Sequence, residues 1–493
     1  MAQVDLLPEV SKYIEGSPKM TIEGRPAEAS SGQTFEVRDP STAQVVAHLP
    51  RAGMEDVDNA VDSARRAFDE KRWSGLRPGK RTEVLYKLGE LIKRNLSELA
   101  QLEAIDSGKP IKLASGEIWM AAEVFRYFSG WPTKIFGETN PSSDDLFTYT
   151  LREPVGVCGG IIPWNFPLIM AAWKVAPALA FGNTMVLKPA EQTSLTALRL
   201  GELALEAGVP EGVLNVVSGF GDEAGQALAQ HMSVDKVAFT GSTEVGRKIL
   251  HASEGNLKRV TLELGGKSPN IVFPDADQRR AAKGSMIGIF NNSGQVCTAG
   301  SRILVEKSIH DEFVQSLVDA TASMKLGPAL DDESGMGPVV SSEQMERVTG
   351  YIDIGKSEGA EVVTGGARAE SLGDGYYIEP TIFTGVRNDM RIAQEEIFGP
   401  VAAVIPVADV EEAISIANDS IYGLAAAVWT SDLSKAHKVA RGIKAGTVWI
   451  NGSGMYDPSV SFGGYKQSGF GRELGVHSMD AYTELKSVWI NLR

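Results

Sequence analysis

One of the two cysteines in this chain, Cys297, lies in the segment FNNSGQVCTAGSRI (290–303), with Gly294 before it and Gly300 after it. A free thiol has a pKa of about 8.5, so it becomes a strong nucleophile only where its surroundings favour the thiolate. The two glycines permit tight backbone turns and allow a planar substrate and a bulky cofactor to approach the sulfur. Most unpaired cysteines are instead small buried apolar residues. The segment by itself leaves both interpretations open.

Two further polar side chains stand at the ends of apolar, strand-like segments. Asn165 follows VGVCGGIIP (155–163), where its amide can point from a strand end towards a reaction centre, although asparagine in this place also forms turns. Glu263 lies near the end of RVTLEL (259–264), out of phase with the apolar residues, as a solvated surface glutamate would also be. Each residue therefore has a chemical and a structural interpretation.

Lys188 and Glu191 are placed where a nucleotide could bind. They follow the strand-like MVL, and Pro189 keeps Lys188 extended, so that both side chains reach the edge of a sheet. A carboxylate accepts two hydrogen bonds from a ribose diol and repels the 2′-phosphate of NADP, although glutamate is also common at the start of a helix. Glu191 therefore favours NAD over NADP if a dinucleotide binds here.

Gly241 and Ser242 add a second nucleotide feature. They end the strand-like VAFT (237–240) and open a helical segment, whose free N–H groups suit a pyrophosphate. The dinucleotide fingerprint GxGxxG is missing, because GFGDEAG (219–225) has one residue too many. From the residues alone, the indication of a nucleotide is weak.

Size and composition limit the class of protein. The 493 residues suggest two to four domains, and 43% hydrophobic with 23% charged residues is typical of a globular chain. A net charge of −15 argues against a nucleic-acid or anionic-membrane partner. The two cysteines and a start without a signal peptide indicate a reducing cytoplasm, and no apolar window of about 18 residues predicts a membrane span. The six histidines lack metal-ligand spacing, so we expect no metal.

Strands and helices alternate between Pro154 and Leu264, which predicts crossover units and a parallel sheet covered on both faces. A nucleotide would bind at the carboxyl edge of such a sheet. Upstream, a hairpin over Phe35–Val37 and Val45–Leu49 precedes two helices around Val57–Phe68 and Leu85–Ile92. The predicted strands are Gly156–Ile162, Asn183–Leu187, Leu214–Ser218, Val237–Thr240 and Val260–Leu264, with helices such as Ser194–Ala207 and Glu244–Ala252 between them.

The alternation restarts after Lys267, which predicts a second α/β domain. The last residues, Ala481–Leu492, alternate like an exposed edge strand, and such strands usually need a partner. We expect this strand, with the similar stretch Leu146–Leu151, to pair across a subunit boundary in a homodimer or homotetramer. The second domain is predicted to contain the strands Ile271–Phe273, Ile303–Glu306, Ala402–Pro406, Ala425–Thr430 and Thr447–Asn451, with a helix ending at Phe290 and the helices Asp311–Met324, Val410–Asn418 and Ser434–Arg441.

Seven stretches in one order resemble the NAD(P)-dependent aldehyde dehydrogenase superfamily, from about Val37 to the C-terminus. Each stretch is a moderate indication by itself, but seven at family-like spacing leave little room for coincidence. They are PWNFP (163–167), LKPAE (187–191), FTGSTEVG (239–246), LELGGKSPN (262–270), GQVCTAGSR (294–302), EEIFGP (395–400) and FGGYKQSGFGRELG (462–475).

The resemblance implies a catalytic role for five residues. Cys297 would be the nucleophile that adds to an aldehyde, and Asn165, with the backbone N–H of Cys297, would stabilise the oxyanion. Glu263 would be the general base that activates water to hydrolyse the thioester, and burial near apolar walls would raise its pKa. Lys174 and Glu473 match a proton relay behind this base, although both could equally be surface charges.

The resemblance also implies a small-molecule aldehyde as substrate and NAD as cofactor. Glu396 and Phe398 match the residues that hold the nicotinamide ribose and pack beside the ring. The implied cofactor residues are Ile162, Pro163, Trp164, Lys188, Glu191, Gly225, Phe239, Gly241, Ser242, Val245, Leu264, Gly265, Glu396 and Phe398.

The implied substrate tunnel is mostly apolar or aromatic. No arginine stands beside Cys297 to capture a carboxylate-bearing semialdehyde, and Phe462 replaces a Trp that some aminoaldehyde-oxidising members carry before Gly463 and Gly464. These features favour uncharged medium-chain or aromatic aldehydes, although Asn291 and Tyr456 could bind a polar group. The tunnel residues are Met120, Phe166, Met170, Trp173, Asn291, Val296, Thr298, Tyr456 and Phe462.

The fold class implied is α/β, with two doubly wound parallel-sheet domains and a small β oligomerisation arm. Residues 1–136 and 155–265 would form a Rossmann-like NAD-binding domain, residues 266–468 a catalytic domain, and residues 137–154 and 469–493 the arm. Three other functions stay open: an acylating dehydrogenase that passes the acyl group to coenzyme A, a cysteine hydrolase with a distant histidine, and a non-catalytic binding protein that keeps the fold. Glu263 argues against the first, since acylating members usually lack the water-activating base.

Overall fold

The computed structural model describes residues 5–493, so the first four residues of the predicted nucleotide-binding domain lie outside the described part. Two large, mostly parallel sheets are flanked by helices, and smaller antiparallel sheets accompany them. This confirms the α/β fold class with two doubly wound sheets and a small β arm. The domain boundaries themselves stay a prediction. No helix within residues 5–493 is long and apolar enough to cross a membrane.

The first large sheet has eight strands, and its five central strands run parallel. All residues of Val157–Ile161, Thr184–Lys188 and Lys236–Thr240 are buried, as expected for strands covered on both faces. The predicted strands are confirmed to within about two residues. Across the sheet the order is Arg25–Ala27, Met20–Ile22, Leu214–Val216, Thr184–Lys188, Val157–Ile161, Lys236–Thr240, Arg259–Glu263 and Gly469–Phe470.

The second large sheet has seven strands, of which the first two pair antiparallel and the others parallel. Its core contains mainly branched aliphatic side chains, which suit a sheet buried between two helical layers. The order is Glu361–Thr364, Thr381–Thr384, Val401–Val407, Arg302–Glu306, Pro269–Val272, Ala425–Trp429 and Thr447–Ile450.

The C-terminal strand, Thr483–Asn491, pairs antiparallel with Leu146–Pro154 of the same chain along nine positions. Both stretches were expected to pair across a subunit boundary, but they form backbone hydrogen bonds with each other within one chain. Thr139–Asn140 lies on the far side of Leu146–Pro154, so Thr483–Asn491 is an outer strand of this small sheet. The other edge of Thr483–Asn491 pairs with no strand within residues 5–493, and the side chains of Leu485 and Trp489 on this strand are exposed. Assembly into a homodimer or homotetramer stays a prediction.

The predicted hairpin is confirmed as Thr34–Arg38 paired with Val45–Pro50. The helix Pro167–Ala180 was not predicted, because all of its residues are buried and no amphipathic period marks it. A second short hairpin joins Tyr422–Gly423 and Tyr465–Lys466. The α-helices are Pro8–Glu15, Met54–Asp69, Pro78–Arg94, Leu96–Ser107, Ile111–Ser129, Pro167–Ala180, Leu195–Ala207, Gln226–Gln230, Thr243–Ala252, Gln278–Phe290, His310–Ala322, Ser342–Ser357, Arg391–Gln394, Val410–Asn418, Leu433–Gly442 and Ser478–Tyr482.

Candidate active site

A cavity of about 630 Å³ lies at the carboxyl ends of the central strands of the first sheet. Cys297, Asn165, Glu263 and Glu473 all line it, although they are far apart in the sequence. The structure therefore brings the predicted nucleophile, hydrogen-bond donor and base into one space. Lys174 does not line the cavity but contacts Glu473 from behind it.

Cys297 is free and partly exposed to this cavity. Burial raises the pKa of its thiol to about 12, and the negative charges of Glu396 and Glu263 act in the same direction. The protein surroundings thus favour the neutral thiol, contrary to a site that would hold a ready thiolate. Nucleophilic attack from Cys297 consequently requires a group that accepts its proton.

Gly294 and Gly300 do not line the cavity, so the expectation that they give ligands access to the sulfur is wrong. Gly294 has φ 72°, and a Cβ at this position would lie 1.9 Å from the carbonyl oxygen of Gly399. A Cβ at Gly300 would lie 3.1 Å from that of Asn270. Both glycines instead allow the loop of Cys297 to pack closely on its neighbours.

Asn165 is held in place by several hydrogen bonds. Its side-chain Nδ2 donates to the carbonyl oxygen of Gln295 at 2.8 Å. Its own carbonyl oxygen accepts from Lys109 Nζ at 3.0 Å and from Asn292 Nδ2 at 2.9 Å. Because a carboxamide nitrogen carries two hydrogens, one N–H of Asn165 stays available to a ligand in the cavity.

Glu263 ends the strand Arg259–Glu263 and is buried, so the interpretation of a solvated glutamate is wrong. Its Oε2 has no hydrogen-bond partner among residues 5–493. Burial, followed by the negative charge of Glu473, raises the pKa of Glu263 well above its ordinary value, while Lys174 acts against the shift. A carboxyl group with a raised pKa in a cavity beside a thiol has the character of a general base.

Lys174 and Glu473 form a buried ion pair behind Glu263. The Nζ of Lys174 lies 2.7 Å from Glu473 Oε1 and 2.6 Å from Thr240 Oγ1, and both charged side chains are almost completely inaccessible to solvent. The interpretation of two surface charges is therefore wrong. The second oxygen of Glu473 has no hydrogen-bond partner in the described part of the chain, so a further hydrogen bond can form there.

Lys109 is a site residue that sequence reasoning missed. It is buried, forms ion pairs with Glu103 at 3.0 Å and with Glu117, and lies 4.9 Å from the ring centroid of Phe166. Burial by itself would lower the pKa of Lys109, but the two carboxylates outweigh it and raise the pKa above the ordinary value. In the sequence Lys109 lies between a glycine and a proline after a helix, which indicates only a surface turn.

Glu396 lines the cavity next to Gly265, another predicted cofactor residue, since a Cβ at Gly265 would lie 2.3 Å from Glu396 Oε2. The backbone N–H of Gly266 donates to Glu396 Oε1 at 2.9 Å, and burial raises the pKa of Glu396 to about 7. The rings of Trp164 and Phe398 meet edge to face with centroids 5.2 Å apart, and Phe398 has φ 63°. Eight of the fourteen predicted cofactor residues line the cavity: Pro163, Trp164, Gly241, Ser242, Leu264, Gly265, Glu396 and Phe398.

The remaining six predicted cofactor residues lie outside the cavity lining. Lys188 Nζ is 3.4 Å from Glu191 Oε2, and burial lowers the pKa of Lys188. A Cβ on Gly225 would lie 3.8 Å from Lys188 Cδ, so these three residues are neighbours. Val245 is partly exposed and donates its N–H to the Ser242 side chain at the start of Thr243–Ala252. The other two, Ile162 and Phe239, are buried in or beside the first sheet.

All nine predicted substrate residues line the cavity. Trp173, Tyr456 and Phe462 form a cluster with ring centroids 5.3 to 6.0 Å apart. The hydroxyl of Tyr456 lies 2.7 Å from Thr298 Oγ1, so it already has a partner within the protein. The others are Met120, Phe166, Met170, Asn291 and Val296.

Several lining residues were not predicted from the sequence. Gln344 and Arg347 lie on the helix Ser342–Ser357, which carries none of the motifs. Leu113 and Ile169 are apolar residues of helices, like many in the core. No sequence signal separates these residues from ordinary helix positions.

Comparison with known proteins gives a consistent set of relatives. A sequence profile described as the aldehyde dehydrogenase family matches residues 27–488. An aldehyde dehydrogenase of Aspergillus niger is 49% identical over 472 residues, which cover 96% of this chain and 94% of that protein. The NAD+ complex of an aldehyde dehydrogenase from Bacillus cereus has a TM-score of 0.98 and 50% identity, with 100% of both chains covered. A mutant of the P. syringae indole-3-acetaldehyde dehydrogenase, in complex with NAD+ and IAA, has a TM-score of 0.95 and 47% identity, with 98% and 99% covered.

Proposed function

The chain belongs to the aldehyde dehydrogenase family, and we propose that it oxidises uncharged aldehydes to carboxylic acids with NAD as hydride acceptor. The observation that carries the proposal is the convergence of Cys297, Asn165 and Glu263 on one cavity. A hydrolase built on Cys297 and a histidine receives no such support, because none of the residues that line this cavity is a histidine.

The first step is the addition of Cys297 to the aldehyde. A C–S bond forms, the thiol proton passes to the carboxylate of Glu263, and the carbonyl oxygen becomes anionic. The free N–H of Asn165 and the backbone N–H of Cys297 donate to this oxygen, which stabilises the charged state more than the aldehyde. Burial raises the pKa of the Cys297 thiol to about 12, which disfavours a thiolate before the attack, and it also raises the pKa of Glu263, which makes its carboxylate a stronger proton acceptor.

Glu396 and Phe398 would hold the nicotinamide end of a bound NAD, which would supply the acceptor for the hydride of the hemithioacetal carbon and so allow the thioester to form. After Glu263 has released the thiol proton through Glu473, it accepts a proton from water, and the resulting hydroxide attacks the thioester carbonyl. The C–S bond breaks, the carboxylic acid forms and Cys297 is regenerated. Lys174 and Glu473 lie behind Glu263 and can carry its proton away, since one oxygen of Glu473 has no hydrogen-bond partner within residues 5–493.

The residues present fit a dinucleotide. The helix Thr243–Ala252 presents its N-terminal N–H groups next to Gly241 and Ser242, which line the cavity where a pyrophosphate would bind. Lys188 and Glu191 stand together at the carboxyl end of Thr184–Lys188, where a ribose diol would be bound. Glu396 lines the inner cavity, where it would hold the second ribose. The Bacillus cereus relative, solved with NAD+, supports the same assignment.

NAD is preferred over NADP in this proposal because of Glu191. Its carboxylate accepts hydrogen bonds from the 2′-hydroxyl, whereas it repels a 2′-phosphate. We expect kcat/KM to be higher with NAD, and Glu191→Gln to narrow the difference by relieving the repulsion. Equal kcat/KM for the two cofactors in the unmodified protein would contradict the assignment.

The substrate side of the cavity favours uncharged medium-chain or aromatic aldehydes. Trp173, Tyr456 and Phe462 present ring faces and edges, which bind apolar groups. Glu117 also lines this side, but it shares Lys109 with Glu103, and burial together with the Glu103 charge raises the pKa of Glu117 well above its ordinary value, which favours the uncharged carboxyl. A substrate charge would therefore lose its hydration without gaining a counter-ion.

One assay tests the proposal. The purified protein is mixed with NAD and a panel of aliphatic, aromatic and carboxylate-bearing aldehydes, and NADH absorbance is followed with and without coenzyme A. We expect NADH with the uncharged aldehydes, no requirement for coenzyme A and free acid as product. A strict requirement for coenzyme A would instead identify an acylating enzyme, and the absence of NADH in every mixture would refute the oxidation.

A further inference from the structure

Three consecutive residues before the nucleophile have left-handed backbone conformations. Asn292, Ser293 and Gly294 have φ values of 48°, 56° and 72°. Glycine adopts this region readily, but two successive residues with side chains are unusual in it and persist only where surrounding contacts hold them. The contacts of Asn292 therefore need an explanation.

The side chain of Asn292 is buried and joins the two segments that would form the oxyanion site. Its Nδ2 donates to the carbonyl oxygen of Asn165 at 2.9 Å and lies 3.4 Å from the carbonyl oxygen of Gln295. The Nδ2 of Asn165 donates to the same Gln295 oxygen at 2.8 Å. The two asparagines and the Gln295 carbonyl thus form a closed set of hydrogen bonds.

Gln295 is itself fixed, so the set is anchored to the protein. Its side-chain Nε2 donates to the carbonyl oxygen of Asn292 at 3.0 Å, and its Oε1 accepts from the backbone N–H of Val340 at 2.9 Å. Lys109 supplies the second donor to the Asn165 carbonyl. The carbonyl oxygen of Asn165 thus accepts hydrogen bonds from Lys109 and Asn292, and its side-chain amide is held by the carbonyl oxygen of Gln295.

We infer that Asn292 is a positioning residue that orients the amide of Asn165 towards the oxyanion. The inference depends on the proposed function, because it assigns Asn292 a purpose only if Asn165 is the oxyanion donor. The left-handed turn at residues 292–294 is the conformation that carries the Asn292 amide to the Asn165 carbonyl. Without this contact, Lys109 is the one donor within residues 5–493 that the Asn165 carbonyl oxygen keeps, and the side-chain amide of Asn165 can rotate away from the reacting oxygen.

A double-mutant cycle between Asn292→Gly and Asn165→Ala tests the inference. Glycine keeps the left-handed backbone at position 292 and removes only the amide. We expect Asn292→Gly to lower kcat roughly 10- to 100-fold, the effect of a misplaced catalytic group, with little change in the KM for NAD. In the Asn165→Ala background the same substitution should change kcat less than about twofold, because the group that it positions is gone.

Ser293→Gly is the matched control. It has the same backbone conformation, but its side chain donates to the carbonyl oxygen of Gly337, so its kcat should stay within about threefold of the unmodified rate. Asn292→Asp replaces the glycine variant in the cycle if Asn292→Gly does not fold. Aspartate has nearly the same side-chain shape as asparagine and tolerates the left-handed backbone, but it lacks the N–H donor.

Two outcomes would overturn the inference in different ways. Equal losses from Asn292→Gly in both backgrounds would mean that Asn292 acts independently of Asn165. An unchanged rate in Asn165→Ala alone would refute the oxyanion assignment in the proposed function, and the positioning role would fall with it. A loss in Asn292→Gly that vanishes in the Asn165→Ala background supports both.

Discussion

Gly266→Ala is the substitution for which the structure permits the most direct estimate of an effect on catalysis. A Cβ at Gly266 would lie 2.2 Å from the carbonyl oxygen of Cys297, whereas contacts of a real Cβ below 3.0 Å essentially never occur. The two segments must therefore separate by about 0.8 Å. The Cβ of Leu424, 3.3 Å from the same point, limits movement in another direction.

A displacement of this size falls on the nucleophile and on its own backbone N–H donor. A misplacement of about 1 Å in an active site costs roughly 10²-fold in rate. We therefore expect kcat/KM to fall about 100-fold, equivalent to about 2.7 kcal/mol of lost transition-state stabilisation. The hydrogen bond from the Gly266 N–H to Glu396 would also be strained, which adds to the loss.

The assay follows NADH formation at a range of aldehyde concentrations, with thermal unfolding measured in parallel. Gly350→Ala is the matched control, because Gly350 lies inside the helix Ser342–Ser357 and, apart from the backbone of that helix, no atom lies within 4 Å of the place that a Cβ would occupy. It should keep the unmodified kcat/KM and gain up to about 1 kcal/mol of stability. A Gly266→Ala protein within threefold of the unmodified kcat/KM would refute the reasoning.

Three other substitutions test the proposed chemistry. Asn165→Ala should lower kcat roughly 10²–10³-fold, the loss expected for one oxyanion donor, and a steady-state rate close to that of the unmodified protein would remove this residue from the mechanism. Glu263→Gln removes the group that accepts a proton both in the attack and in thioester hydrolysis, so NADH formation should fall roughly 10²–10⁴-fold already in the first turnover. A first-turnover rate close to that of the unmodified protein would contradict its role as the acceptor of the thiol proton, and acylated Cys297 detected by mass spectrometry in that case would confine Glu263 to hydrolysis. Glu473→Gln should move the acid limb of the profile of kcat against pH to lower pH. Glu263 must be deprotonated to act, so kcat falls as the pH drops through the raised pKa of Glu263. The substitution removes the negative charge of Glu473, which is one cause of that raised pKa. An acid limb that stays in place or moves to higher pH would contradict this reasoning.

Much of the fold could be predicted from local patterns. Short apolar segments bounded by glycine and proline indicated most strands of the two sheets, because strands buried on both faces appear as continuous apolar runs. The helix Pro167–Ala180 was missed for the complementary reason, since a helix buried on every side has no polar face to reveal its period. Thr483–Asn491 was recognised as a strand, but its partner in the same chain depended on the path of the whole chain.

The residues suited to chemistry could be recognised from their motifs alone: a cysteine, an asparagine and a glutamate in stretches that resemble one enzyme family. Their surroundings became known only from the folded chain. Lys174 and Glu473 are 299 positions apart, and nothing in either local segment distinguishes a buried ion pair from two solvated charges. Burial and neighbouring charge, which raise the pKa of Cys297 and Glu263, arise where distant segments meet. The physical reason is that local patterns report the burial of a backbone segment, whereas the environment of a side chain depends on every segment that packs against it.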